Sequence, residues 1–201
     1  MGILSSSSGY TRFRLSGEMP DAYEALFHLQ IGRNAFDHSE GSTDKERIRG
    51  WVDPARPFDD SLDMDSVFVG DYIVLSMRVD KRTVPPRLLK HHAMLEEARA
   101  RAESGRERLS RRERLELKEL VKGRLLLRAL PAINTYDMVW DIHKETVYFS
   151  STAEKICDEF SGLFEETFGI PLVRRYTYDI FAEMSGGNSS ALERMAPAQL
   201  I

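Results

Sequence analysis

Polar and large side chains alternate over residues 10–15, the period of a half-buried strand, and Pro20 with Asp21, Ala22, Leu26 and Phe27 opens an amphipathic helix. Residues 37–45 are rich in Ser, Gly, Asp and Glu and read as a loop before Arg47, Ile48, Arg49, Gly50, Trp51 and Val52. Residues 66–69 and 72–77 are β-branched and aromatic on both sides of Gly70 and Asp71, which predicts a hairpin. Pro85 and Pro86 then start a long helical pattern that runs to about Ala102 and ends at Ser104 and Gly105. A second helix opens at Ser110, Arg111, Arg112 and Glu113, the spacing of a capping box, and stops near Pro131. Together they form a helical hairpin of about 45 residues.

Beyond it, Tyr136, Met138, Trp140 and Ile142 alternate with Asp137, Val139 and Asp141. His143, Lys144 and Glu145 separate them from Thr146, Val147, Tyr148 and Phe149, so a second hairpin is expected with the Tyr/Met/Trp/Ile face inward. A helix from about Thr152 to Phe168 carries Ile156, Phe160, Leu163 and Phe164 on one side and ends at Gly169. Pro171, Leu172 and Val173 lead to a further strand through Tyr178. Five to seven strands with helices that do not strictly alternate predict an α+β fold. Its antiparallel or mixed sheet is built from hairpins under covering helices, with a protruding basic αα-hairpin. The expected organisation is one domain over residues 1–183, with a helical sub-lobe at about 84–130 and a flexible tail over 184–201.

Composition changes the picture only through its distribution. With 201 residues, 42% hydrophobic and 30% charged, the chain is that of an ordinary soluble globular protein, and no apolar run reaches the length of a membrane span. The single cysteine, Cys157, has no internal disulfide partner, which fits a reducing cytoplasm. The start of the chain meets the N-myristoylation pattern formally, with Gly2 second and Ser6 in place; the run from Ser5 to Ser8 is more simply a loose terminus. The net charge is −4, yet residues 78–128 hold 16 Lys and Arg against 8 Asp and Glu, and the remainder holds 12 against 24. One part can attract a polyanion while the other repels it.

On the second helix of the hairpin, Arg111, Arg114, Lys118 and Lys122 fall within an arc of about 80°, while Glu113, Glu116 and Glu119 point elsewhere. Like-charge neighbours at i,i+4 cost a helix stability, so a row of this kind suits an anionic partner such as the phosphates of a duplex. Arg106 and Arg108 add to it from the preceding turn. Arg124 and Arg128 project toward the apolar stripe of Leu117, Leu120 and Val121, where a structural role and a DNA role both stay open. Nothing here supplies a base-reading code, so binding of this kind is sequence-tolerant and salt-dependent.

Catalytic signals are weak. Asp59, Asp60, Asp63 and Asp65 resemble a calcium loop or a nuclease metal site, but no register puts Gly at position 6 and Glu at position 12. His91 and His92 point about 100° apart on a helix, unlike two ligands of one metal. Asp141 and His143 suggest an acid–base pair at a hairpin end, where solvated pairs are more common, and Cys157 has no base near it in sequence.

The same segments resemble the RdgC family of bacterial recombination-associated proteins. The resemblance rests on Gly50, Trp51, Val52 and Pro54; on Val84, Pro85, Pro86, Arg87, Leu88, Leu89 and Lys90; and on Gly105 and Arg106 leading through Leu109 into the basic helix. It continues with Leu126, Leu127, Arg128, Ala129 and Asn134, the Trp140–Asp141 hairpin, and residues 169–173, in matching order over roughly residues 10–175. It implies an α+β protein that dimerises into a ring, binds double-stranded DNA without sequence preference through a positive inner surface, and restrains the RecA recombinase. In such a ring Arg106, Arg108, Arg111, Arg112 and Arg128 would face DNA. Two departures stand out. Leu130 occupies a position where the family has Phe, and family members continue into a C-terminal portion beyond the end of this sequence.

The resulting expectation is a non-enzymatic, cytoplasmic and nucleoid-associated DNA-binding homodimer without cofactor, metal or membrane partner. Its contacts are Arg87, Lys90, Arg106, Arg108, Arg111, Arg112, Arg114, Lys118, Lys122 and Arg128. The alternatives are an oligomerisation or partner-binding module whose basic helices meet an acidic protein surface, and a metal-dependent nuclease using Asp63 and Asp65.

Overall fold

The computed structural model describes residues 9–37, 45–59 and 62–184. The elements in chain order are β1 Thr11–Leu15, α1 Tyr23–Arg33, β2 Arg47–Val52, α2 Met64–Val67, β3 Phe68–Val69, β4 Tyr72–Lys81, α3 Pro86–Ser104, α4 Arg111–Arg128, β5 Ala132–Asp141, β6 Thr146–Phe149, α5 Glu154–Phe168, β7 Leu172–Arg175 and α6 Thr177–Met184. The strands follow the order β2-β4-β5-β6-β1-β7, with β3 beside β4, and the pairings with a defined register are antiparallel. The fold is α+β, with a seven-stranded sheet.

The chain divides into two compact units. The first draws on residues up to Arg33, on Asp63–Leu75 and on the chain from Tyr136. Its alternation on β1 is realised, with Thr11, Phe13 and Leu15 buried while Arg12 and Arg14 are turned toward solvent. Helices α1 and α5 bring their apolar faces together over an aromatic core. Phe160 stacks on Phe149 at 3.9 Å between ring centroids, and Phe27 meets Trp140 at 5.5 Å and Phe168 at 4.9 Å. Such pairs contribute about 0.5–1.5 kcal/mol each beyond their buried area. Gly169 ends α5 in the left-handed conformation, at φ 70°, as its position after Phe168 predicts.

Two strands expected in this unit are shorter than their patterns suggest, because short polar side chains bend the backbone first. The Asp63 carboxylate accepts the N–H of Asp65 at 3.1 Å and starts the turn Met64–Val67, leaving only Phe68 and Val69 to pair with Ile73 and Tyr72. The strand expected through Tyr178 stops at Arg175. There the Asp179 carboxylate accepts the N–H of Tyr176 at 2.8 Å and turns the chain into α6. The Asp141–His143 pair does not form. Asp141 accepts the backbone N–H of Lys144 at 3.0 Å and its ammonium at 2.9 Å, which holds the Asp141 carboxyl below its ordinary value. His143 reaches Asp71 at 3.2 Å instead.

The second unit comprises Asn34–Leu62 and Ser76–Thr135. Strand β2 pairs with β4 from Arg47↔Lys81 to Val52↔Ser76. The backbone of Phe36 crosses directly over Gly50, so that a β-carbon there would stand 2.5 Å from Phe36 Cα. Phe36, Ile48 and Val52 form an apolar cluster. Beside it Arg78 is buried with both its Nε and Nη2 donating to Asp80 at 2.8 Å, its Nη1 donating to the Pro57 carbonyl, and its guanidinium 4.2 Å from the Phe36 ring. The helices α3 and α4 also belong to this unit.

Candidate nucleic-acid interface

Pro86 supplies a fixed φ at the first position of α3, and Gly105 ends that helix at φ 64°. Five residues later the capping box is complete. Glu113 N–H donates to Ser110 Oγ at 3.2 Å, and Ser110 N–H donates to Glu113 Oε2 at 2.8 Å. The other carboxylate oxygen accepts Arg106 Nη2 at 2.9 Å. The Ser110 N–H, then the Ser110 hydroxyl and then Arg106 bring the Glu113 carboxyl down to about 2.

The ten basic residues singled out from the sequence fall into two groups. Three are ion-paired: Arg106 with Glu113, Arg112 with Glu116 at 2.8 Å, and Lys122 with Glu46. Glu46 holds the Lys122 ammonium above its ordinary value by accepting its hydrogen bond, and is itself held lower. The row expected to run unquenched from Arg111 to Lys122 therefore stops at Lys118. Arg87, Lys90, Arg108, Arg111, Arg114, Lys118 and Arg128 are exposed, and none of them makes an ion pair among the described residues.

Arg108 and Arg114 line a cleft of about 280 Å³ together with Arg101, Glu97 and Leu109. Arg101 is the residue that a helical wheel of α4 cannot find, since it comes from α3; its Nε donates to the Glu97 carbonyl at 3.3 Å. Arg124, itself exposed, lies 3.5 Å from Glu96, which also pairs with Arg99. Arg128 shares with His92, Leu95, Glu96 and Arg124 a cleft of about 490 Å³ between α3 and α4. The hairpin also shows apolar surface at Met94, Leu115 and Leu127, and Leu130, where the resemblance implies an aromatic, is 92% exposed.

A family model described as "Putative exonuclease, RdgC" matches residues 10–182. The chain belongs to the RdgC family. Comparison with curated proteins gives no match. The RdgC match takes in both compact units and the whole αα-hairpin.

Asp63 is the cap of α2, and Asp59 faces Arg56 at 3.9 Å; Asp60 lies outside the described residues. His91 and His92 meet edge to face at 5.7 Å on α3. Cys157 is buried against Thr11 Oγ1 and the Ser151 carbonyl, both at 3.5 Å. Among the described residues no three of His, Cys, Asp or Glu are grouped to hold a metal ion, and no helix is long and apolar enough to cross a membrane. The myristoylation pattern at Gly2, the serine run and the C-terminal tail from Ser185 lie outside the described residues.

Proposed function

We propose that this RdgC-family chain binds double-stranded DNA without sequence preference, through the exposed cations of its αα-hairpin, and that it acts in recombination by occupying the duplex without cleaving it. The observation that carries the reading is the row Arg111, Arg114 and Lys118 on one side of α4, exposed and free of carboxylate partners among the described residues, with Arg108 beside it. Four such cations release about four counterions on meeting phosphates, and contacts made to phosphates alone carry no sequence information. Dimerisation, residence at the nucleoid in the cytoplasm and restraint of the RecA recombinase belong to the same reading and rest on family membership.

Titration of a duplex at several salt concentrations tests it. Four phosphate contacts give a log–log slope of about −3.6, and replacing Arg111, Arg114 and Lys118 together by alanine should reduce its magnitude by about 2.7. Affinity indifferent to salt overturns the reading. So does the shortening of an end-labelled duplex incubated with the protein and a divalent cation, which would favour the exonuclease of the family description.

A second reading is favoured by the apolar side chains Met94, Leu115, Leu127 and Leu130 exposed on or just after the hairpin. In it the hairpin is a surface for self-association. Light scattering with and without DNA separates the two, because a mass that rises with protein concentration and ignores DNA supports association alone.

A further inference from the structure

The two helices of the hairpin meet through residues of the same spacing. On α3, His92, Leu95, Glu96 and Arg99 stand at i, i+3, i+4 and i+7, and on α4 so do Val121, Arg124, Leu125 and Arg128. These side chains and Leu127 line the cleft of about 490 Å³ between the helices. Its lining is of two kinds. Val121 is buried, while Leu95 and Leu127 are 46% and 51% exposed, so apolar surface runs from the interior out to solvent. Beside it stand the guanidiniums of Arg99, Arg124 and Arg128 against the single carboxylate of Glu96.

The charged groups show what such a lining can hold. Arg99 Nη1 donates to Glu96 Oε1 at 3.2 Å, and Arg124 Nη1 lies 3.5 Å from the same oxygen. Arginines from both helices thus already converge on a carboxylate. One turn beyond Arg124, Arg128 repeats the cation at i+4 and makes no ion pair among the described residues. Like charges at that spacing are unfavourable in the absence of an anion. Glu96 does not balance the lining, because its one charge is shared by Arg99 and Arg124 and leaves Arg128 over. Each guanidinium presents five N–H donors in a planar fork that matches a carboxylate, so most remain for a ligand.

We propose that this cleft binds a carboxylate carried on an apolar body, the carboxylate held by Arg124 and Arg128 and the body lying on Leu95, Val121 and Leu125. Two sources share this chemistry: a small hydrophobic organic acid, and the free chain end of a peptide whose last residue is apolar. The cleft has the volume and the mixture of apolar wall and few charged groups that small-ligand sites show. A bare phosphate chain would match the guanidiniums and leave the leucines uncovered. Arg111, Arg114 and Lys118, which carry the duplex reading, do not line the cleft, so the two proposals stand separately.

Calorimetric titration of the full chain with hydrocinnamate tests the proposal, with N-acetyl-leucyl-phenylalanine as a second arm. Tighter binding of the first assigns the site to a free acid, and of the second to a peptide end. Hydrocinnamamide, which lacks the charge, and acetate, which lacks the apolar body, should each bind at least about tenfold more weakly than hydrocinnamate. Arg124→Gln and Arg128→Gln should each weaken the acid about tenfold, as the loss of a hydrogen bond to a charged group does. Glu96→Gln should instead tighten it about threefold, because a competing carboxylate leaves Arg124; a merely structural Glu96 gives no such gain. Both arginines are exposed, so unfolding midpoints should match across the set. Failure of both acids to bind, equal binding of the amide or of acetate, or a Glu96→Gln chain that binds no tighter each overturn the proposal. So does displacement of the acid by duplex DNA from a chain carrying Arg111→Ala, Arg114→Ala and Lys118→Ala, which would give the cleft to DNA.

Discussion

Arg78 illustrates how much a single side chain can commit the protein to. Its guanidinium is out of water between the Phe36 and Phe58 rings, at 4.2 and 5.4 Å, and Asp80 neutralises it with two hydrogen bonds. Asp80→Ala would strand that charge, and urea unfolding should show a loss of about 3–5 kcal/mol. Replacing Arg78 and Asp80 together by apolar residues of similar volume should cost far less, because the buried charge leaves with its partner. None of this is visible in the sequence, where Arg78 simply opens the basic segment. Gly50 is similar: its place beside Trp51 and Val52 is legible as part of a motif, whereas its cause is the backbone of Phe36 passing overhead. Contacts between residues far apart in the chain leave no trace in local pattern.

Local signals, by contrast, carried the helices. Ser110 and Glu113 stand three apart, and both bonds that this spacing implies are present; Gly105 and Gly169 close their helices in the left-handed conformation. The same locality misdirects where two short-range preferences compete. Ser66 to Val69 have strand composition, but Asp63 in front of them caps a helical turn, and Asp179 does likewise for the segment after Arg175. For α4 the capping chemistry has a pH consequence. Glu113 is lowered from an ordinary 4.5 to about 2 in the folded chain, so its contribution is fully present above about 4.5 and is lost as pH falls from there toward 2. Amide protection factors, corrected for the intrinsic pH dependence of exchange, should fall over that window more in the first turn of α4 than in α5, and Glu113→Gln should remove the difference.

Across the whole molecule, charge is divided rather than mixed: residues 78–128 are net positive and the remainder net negative. That division was legible by counting, and so was the arc of cations on α4. The partners of those cations were not, because Glu46 lies 76 residues before Lys122 and Arg101 comes from another helix. On the proposed duplex-binding reading, the Glu46–Lys122 clasp sets the length of the cationic surface. With it closed, the cationic row on α4 runs from Arg111 to Lys118, about 10 Å; with it open, Lys122 extends the row to about 16 Å. On that proposed reading, Glu46 withholds the Lys122 ammonium group from an incoming phosphate chain. Glu46→Gln should therefore steepen the salt dependence of duplex binding by about 0.9, one further counterion, in the same titration. Loss of the Glu46 carboxylate would thus add a fourth cation along the helix and lengthen the grip by one turn.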